Sequence, residues 1–443
     1  ITINATRVDQ KSGAAYNNIT KDELEKNNLG QDLPLLLNNL PSVVVTSDAG
    51  NGVGYTGIRV RGNDPTRVNV TINGIPVNDA ESHQVYWVDL PDVASSTDNI
   101  QFQRGLGNST NGAGAFGASI NLQTSSLPLA QSTGVDFSGG SYGTHKETLK
   151  YNTGLLNNHW AFNMRLSNLG SDGYIDRASA KMNSYFFQGG YYANNSSIKF
   201  ITFNGTEQTY HAWDYSTRDN WEKYGRTYNP CGKYTDDKGN KAFYKNQIDY
   251  YHQQHYQLLW NQIFTPELNL NVALHYTHGF GYYEQYKEDQ KLYKYLLTSA
   301  LGNTSDLVRQ KNMQNDFYGT VMSLNYKKNR LETTVGGGWN KYDGDHIGNV
   351  LWVRQFNGSI NPNQEYYNNN AQKSDANIYG KANYNLMGGL NAYIDLQYRH
   401  VKYEMTGMSA AFDDNHSQIP FNINKTFDFF NPKAGLYYMI NKN

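Results

Sequence analysis

Several things are scarce in this chain, and each absence excludes something. Cys231 is the only cysteine in 443 residues, which rules out an internal disulfide and a cysteine-rich metal cluster. Proline is sparse beside 41 glycines. Lys and Arg number 38 against 39 Asp and Glu, a formal net charge of −1, so there is no basic footprint for nucleic acid. No nucleophile elbow, HExxH helix or P-loop is present. With no catalytic constellation, an enzyme is not expected, and no cofactor is implied. No apolar run approaches the ~18 residues that a membrane helix needs. That last absence does not exclude a membrane, because β-barrel strands alternate lipid-facing and lumen-facing residues and an average hides the alternation.

What is present is a surplus of tyrosine, 36 against 18 Phe and 7 Trp, which suits an apolar surface that also meets water. The first 127 residues read as a small mixed α/β domain. Thr20 with Glu23 makes a capping box ahead of Leu24. A second helix is expected over Gln31–Leu40, with Leu33, Leu36, Leu37 and Leu40 on one face. Val68, Val70 and Ile72 alternate with polar neighbours, and Asn73-Gly74 turns the strand into Ile75–Val77. Residues 128–134 read as a linker containing Pro128, and residues 135–443 as barrel strands. In that part Phe162, Met164, Leu274, Val335 and Leu396 are expected to face lipid, with Asn163, His275, Thr334 and Gln397 facing inward. Tight turns near Leu156–His159, Ala193–Ser197, Thr265–Leu268, Lys327–Arg330 and Met387–Leu390 alternate with long polar loops near Thr209–Tyr251, Gly281–Gln314 and Gly344–Ser374. This is the asymmetry of an outer-membrane barrel.

Some motifs are weaker than they look. Gly112–Gly117 fits G-x-G-x-x-G, but Ala118–Thr124 alternates like a strand where a dinucleotide site requires a helix. Asp343-Gly-Asp345 opens like a calcium loop, yet its twelfth position is Arg354 where a bidentate Glu is needed. His211, His252, His255, His275 and His278 invite a haem-ligand hypothesis, but lone lumen histidines read better as wetted polar residues, and no metal site is expected. Two stretches, Ser47–Gly57 and Asp79–Asp92, look like apical loops rich in Gly, Tyr, Trp and His, and exposed aromatics in loops often mark binding.

The order of motifs carries a resemblance. Ala5–Arg7 is followed by Leu40–Val45, then Arg-Val-Arg-Gly at Arg59–Gly62, then V-x-V-x-I-N-G at Val68–Gly74, and a Gly/Ala-rich run into Ser119–Asn121. Together they resemble the plug domain of TonB-dependent outer-membrane receptors. The resemblance implies a mixed α/β plug followed by an antiparallel transmembrane β-barrel. Such barrels have 22 strands when complete, whereas about twelve are counted here, so the chain is expected to be the N-terminal part of a longer receptor whose secretory signal was removed or never included. It also implies the outer membrane of a Gram-negative bacterium, contact with outer-membrane lipid and a TonB energy-transducing partner. Ile1, Thr2, Ile3, Asn4 and Ala5 would then resemble the end of a TonB box, paired by strand addition. Arg59, Arg61 and Arg104 would meet carboxylates on the barrel wall, since a guanidinium pairs bidentately with them. Gly52, Tyr55, His83, Gln84, Tyr86 and Trp87 at the apex, with Trp213 and Trp221 in the long loop, would bind a small molecule such as a metal chelate. A ferric siderophore, haem or cobalamin is expected. The alternatives are an oligosaccharide importer, a passive porin or a surface adhesin.

Overall fold

The computed structural model describes residues 15–105, 115–127, 129–360 and 364–438. Its inner domain runs β1 (Ala15–Thr20), α1 (Lys21–Asn27), α2 (Leu33–Leu36), β2 (Val43–Ser47), β3 (Thr56–Val60), β4 (Val68–Ile72), β5 (Ile75–Pro76), β6 (Thr97–Arg104) and β7 (Ala118–Thr124). Five strands form one sheet in the order β1-β6-β7-β4-β5, and β2 pairs with β3 separately. The capping box forms as expected: the Thr20 hydroxyl accepts from the Glu23 amide, and the Glu23 carboxylate accepts from the Thr20 amide at 2.7 Å. Asn73 (φ 56°) and Gly74 (φ 83°) make the turn between β4 and β5, a left-handed pair that glycine and asparagine tolerate. The expected helix over 31–40 is much shorter. It spans only Leu33–Leu36, started by Pro34 in its first turn. Asn38-Asn39 then favours turns over helix, although Leu33 and Leu37 still bury. Of the Gly112–Gly117 run, residues 115–117 are described and turn directly into β7.

The wall is a sheet of twelve antiparallel strands joined to their chain neighbours. They are β8 (Gln131–Gly139), β9 (His145–Thr153), β10 (Trp160–Ser171), β11 (Ala180–Tyr192) and β12 (Ser196–Tyr210). After helix α3 (Arg218–Tyr224) and a small hairpin, β13 (Lys233–Thr235) with β14 (Lys241–Phe243), come β15 (Ile248–Thr265), β16 (Leu268–Lys291), β17 (Thr304–Lys328), β18 (Leu331–Val353), β19 (Glu365–Met387), β20 (Leu390–Phe412) and β21 (Gln418–Tyr438). Facing follows the alternation. Met164, Leu274, Val335 and Leu396 are exposed on the outer face, Phe162 is half-buried, and His275 and Thr334 are buried inward.

The expected long loops are a point of difference. The segments 281–314 and 344–374 are mostly strand, because β16, β17, β18 and β19 run on through them. At ~3.3 Å per residue a 25-residue strand reaches roughly 80 Å, well beyond a hydrocarbon layer of ~30 Å. The upper halves therefore extend beyond such a layer, where Leu307, Val350, Tyr366 and Tyr367 bury against Leu292 and Tyr295. There Asn, Gln, Lys and Asp interrupt the apolar residues and the segments read as loop, while the backbone ladder continues.

The inner domain lies against the concave face of this wall. Its core residues Val70, Ile72, Leu90, Ile100 and Ile120 form one buried cluster with Phe186, Ile201, Phe203, Leu259 and Ala273 of the wall.

Candidate functional site

A cavity of about 730 Å³ opens between the tip of the inner domain and the strands β15–β21. Its floor comes from Tyr55 and the segment 75–90, and its sides from aromatic residues including Tyr251, Tyr256, Tyr283, Phe317 and Tyr367. The floor loop is stiff for local reasons. Asn78 accepts from the Val70 amide at 2.7 Å and donates to the carbonyls of Val68 and His83, both at 2.9 Å. The Asp79 carboxylate accepts from the amides of Glu81 and Ser82, at 3.2 and 2.6 Å. Short polar side chains that bond nearby backbone hold such turns without regular structure.

The tip is also clasped by the wall. Glu81 accepts hydrogen bonds from Tyr342 at 2.8 Å and Tyr403 at 3.1 Å, and pairs with His346 at 3.0 Å. Burial works against ionisation of Glu81, yet the contact with His346 and the two hydroxyls outweighs it, so its carboxyl lies below the usual range. Lys373 donates to the Ala80 carbonyl at 2.6 Å. Nearer the centre, the Tyr55 hydroxyl donates to Asp249. The ring of Tyr55 meets Trp213 edge-on at 5.8 Å, and Trp213 stacks on His211 at 3.8 Å. Asp89 is buried at the base, and burial, then the charges of Asp249 and Asp79, push its carboxyl well above the ordinary value. Its carbonyl packs so closely on β12 that a Cβ at Gly205 would lie 2.0 Å from it. Only glycine allows that approach.

On the opposite flank the inner domain is bolted down by Asp92. Its carboxylate is fully buried between Arg165 (3.1 Å) and Lys146 (3.3 Å) of the wall. Thr148 at 3.0 Å, Ser167 at 2.5 Å, Ser95 at 2.6 Å and Asn28 at 3.0 Å complete its partners. Arg165 also donates to the Asp92 carbonyl. Burial alone would raise the Asp92 carboxyl, but the two cations and the hydroxyls overwhelm it and hold it well below the usual carboxylate range.

Of the residues expected to bind a ligand, Tyr55, Gln84, Tyr86 and Trp213 line the cavity. The others do not. Trp87 is 3% exposed and belongs to the core. His83 sits on an exposed left-handed corner (φ 64°). Gly52 is buried against Leu35. Trp221 lies on α3 with Arg226 over its ring at 5.3 Å. Sequence spacing could not tell a loop's inward aromatic from its outward one. The expected pairing of plug arginines with wall carboxylates is not among the contacts of the described residues. Arg59 and Arg61 are exposed and Arg104 is half-buried, and no wall carboxylate pairs with them among the described residues. The charge contacts found among the described residues put the acids Glu81 and Asp92 on the inner domain and the cations His346, Lys146 and Arg165 on the wall. Ile1, Thr2, Ile3, Asn4 and Ala5 lie outside the described residues. The acids Asp89, Asp92 and Asp249 were not singled out beforehand. The signal available for two of them was four carboxylates within residues 79–92, too many for an idle loop.

Among the described residues no group of three or more His, Cys, Asp or Glu is arranged to hold a metal. His252 with His255, and His275 with His278, are three apart on strands, so each pair splits across the two faces. His255 and His275 line the cavity.

Residues 8–119 match the family model described as the TonB-dependent receptor plug domain. Over 144 residues the chain is 29% identical to the vitamin B12 transporter BtuB of Vibrio cholerae, an overlap of 32% of this chain and 23% of BtuB. In fold it is similar to the ferric-catecholate import receptor Fiu from E. coli K12, with a TM-score of 0.72 at 13% identity, covering 98% of this chain and 68% of Fiu. It is also similar to the ferric yersiniabactin uptake receptor FyuA from Yersinia pestis, with a TM-score of 0.71 at 9% identity, covering 97% of this chain and 63% of FyuA.

Proposed function

We propose that this chain, a TonB-dependent receptor by its plug domain and fold, serves in energy-coupled uptake of a scarce small-molecule nutrient across a Gram-negative outer membrane. The observation that supports this reading best is the cavity itself. It is floored by the plug tip, walled by aromatic rings and deep enough to take a small molecule, which is how binding sites are built. A ferric chelate, haem or a corrinoid is the range of ligand the reading covers. A passive pore is disfavoured because the plug shares one buried core with the wall.

Function would then work by linkage. A ligand seated on Tyr55 and Tyr86 touches the same plug tip that Glu81 fastens to the wall. Any shift there changes the energy of the plug's other contacts, and through them the exposure of residues 1–5 to a TonB-type partner. Such coupling must be reciprocal, so partner binding would alter ligand affinity by the same factor.

The test uses outer membranes bearing the whole protein, incubated with pooled ferric chelates, haem and corrinoids. Retained molecules are identified by mass spectrometry, and their uptake is compared in cells with and without TonB. We expect retention that falls at least tenfold, about 1.4 kcal/mol, when Tyr86 and Trp213 are both replaced by Ala. We also expect uptake that requires TonB. Retention indifferent to both substitutions would remove the cavity from the mechanism, and uptake indifferent to TonB would remove the energy coupling.

A further inference from the structure

A second opening lies on the other side of the wall. From Leu268 to Lys287, β16 pairs with β17 without a register shift, so its even-numbered residues share one face. Leu274, Tyr276 and Phe280 are exposed on that outer face, and Glu284 and Tyr286 continue it upward. Tyr286 stands roughly 15 Å above Phe280, for a strand rising ~3.3 Å per residue at a tilt near 40°. It is nevertheless only 7% exposed, because the small hairpin β13–β14 folds over the outside of the wall. Tyr234 of the hairpin stacks on Tyr286 with ring centres 4.4 Å apart, and Tyr244 and Trp352 flank Tyr286 at 5.7 and 6.0 Å.

Polar contacts lock this arrangement. The Tyr286 hydroxyl donates to Asp306 at 2.8 Å, and the Tyr244 hydroxyl to Glu284 at 2.6 Å. The Thr235 amide donates to Glu288 at 2.7 Å. Arg354 joins the Thr235 carbonyl, at 3.0 Å, to Asp306, at 2.7 Å. Beside the locked rings lies a cavity of about 660 Å³. Its apolar side includes Trp352, Val308 and Leu351, and its polar side is Asp237, Arg354 and Gln355. Trp352 keeps 42% of its surface open. The Asp237 side chain is 90% exposed and lies 3.7 Å from Arg354. The lining comes from the hairpin segment and from the top of β16, β17 and β18, strands that each pair on both sides.

An open indole beside a carboxylate, a guanidinium and an amide has a definite chemical complement. A sugar ring has a face of C–H groups that covers an aromatic ring, and a rim of hydroxyls that each donate and accept. Asp237 offers acceptors, Arg354 donors, and Gln355 both. A wholly apolar ligand would strip water from these groups without replacing its hydrogen bonds. A small inorganic ion would leave the indole face in water.

We propose that this outer-face cavity is a saccharide-binding site, separate from the central cavity, with a sugar ring seated on Trp352. Its sideways opening above the exposed apolar band suits sugars carried by lipids of the same membrane, and free oligosaccharides share that chemistry. The neighbouring membrane rests on the receptor reading; the chemistry of the site does not.

The experiment uses the whole protein in nanodiscs and has two arms. One measures capture on an array of neutral, N-acetylated, deoxy and acidic oligosaccharides. The other loads the nanodiscs with lipopolysaccharide, or with the same lipid stripped of its saccharide by mild acid, and measures co-retained lipid by native mass spectrometry. We expect Trp352→Ala to lower capture at least tenfold and to remove any preference for the glycosylated lipid, while Trp352→Phe retains both. Loss in the array arm alone assigns the site to free saccharides, and loss in the lipid arm alone to membrane-anchored ones. Readings identical in the unaltered protein and Trp352→Ala, absence of binding in both included, overturn the proposal. Should Trp352→Ala fail to assemble, the exposed-rim variants Asp237→Asn and Gln355→Ala together decide the same question. Capture that Tyr86→Ala abolishes and Trp352→Ala spares moves the saccharide to the central cavity and refutes the outer site, leaving the receptor reading standing. Uptake that proves indifferent to TonB refutes that reading and leaves the array result untouched.

Discussion

The two flanks of the plug are held in opposite ways. At Asp92 a carboxylate with no exposed surface is saturated by two cations and four polar side chains. At Glu81 the carboxylate is about one-fifth exposed, shares the cavity rim with His346 and two tyrosine hydroxyls, and borders open volume. A fully desolvated ion pair tolerates no half measures, because removing one partner strands the other. A rim contact with water at hand can be exchanged for a ligand contact at little cost. The plug is thus hinged in energetic terms: fixed on one flank and negotiable on the other.

The strongest way to break this comparison is Asp92→Ala. It should destabilise plug seating by about 3–5 kcal/mol, because Arg165 and Lys146 are left buried and unpaired. The readout is permeability of intact cells to antibiotics too large for general porins, which should rise sharply. Glu81→Gln should raise it far less, and equal effects would abolish the distinction between the flanks. Neighbouring residues sharpen the same point. Trp87→Ala empties core volume and should cost about 3–5 kcal/mol, seen as plug proteolysis. Tyr86→Ala, which removes a ring only half-buried against Val88, Leu169 and Met182, should raise proteolysis less than Trp87→Ala does while weakening ligand binding.

Across the wall, Leu396→Arg should cost ~2–4 kcal/mol near the bilayer midplane and block assembly, whereas Gln397→Arg on the inner face should assemble normally. Heat-modifiable migration on gels distinguishes the two. A smaller effect is expected from pH. Burial pushes Asp32, in the plug, up to about 8. An acid raised in the folded state gives full stability below its ordinary value of 3.8 and loses it progressively as pH rises through the folded value. Plug resistance to proteolysis should therefore decline across that window, and Asp32→Asn should flatten the decline. Asp92 behaves oppositely. Its depressed carboxyl keeps its contribution above the ordinary carboxylate range and loses it only in strong acid, so the fixed flank should not respond to this window. The smallest effect belongs to Arg59→Ala, within about 0.5 kcal/mol for an exposed side chain, with unaltered permeability.

Much of this was legible in the residues. The capping box at Thr20, the Asn73-Gly74 turn, the twelve wall strands and the facing of Leu274 and His275 all follow from local chemistry and a period of two. The upper strands were not legible, because Asn, Gln, Lys and Asp interrupt their apolar residues and break the alternation even while their backbones pair. Nor was the polarity of the plug–wall contact. Motif order drew attention to Arg59 and Arg61, but whether a charged side chain meets water or a counter-charge depends on what the distant wall presents.

The sequence by itself determined the order of domains, the strand rhythm, the outward-facing set and the family resemblance, since each is encoded within a dozen contiguous residues. Only the tertiary structure decided that Tyr86 faces the cavity while Trp87 fills the core. It alone set Asp92 between Lys146 and Arg165, and gathered Asp79, Asp89 and Asp249 beneath one pocket. These groups lie from one to more than a hundred and fifty residues apart, and their meeting is fixed by the packing of the plug against the wall.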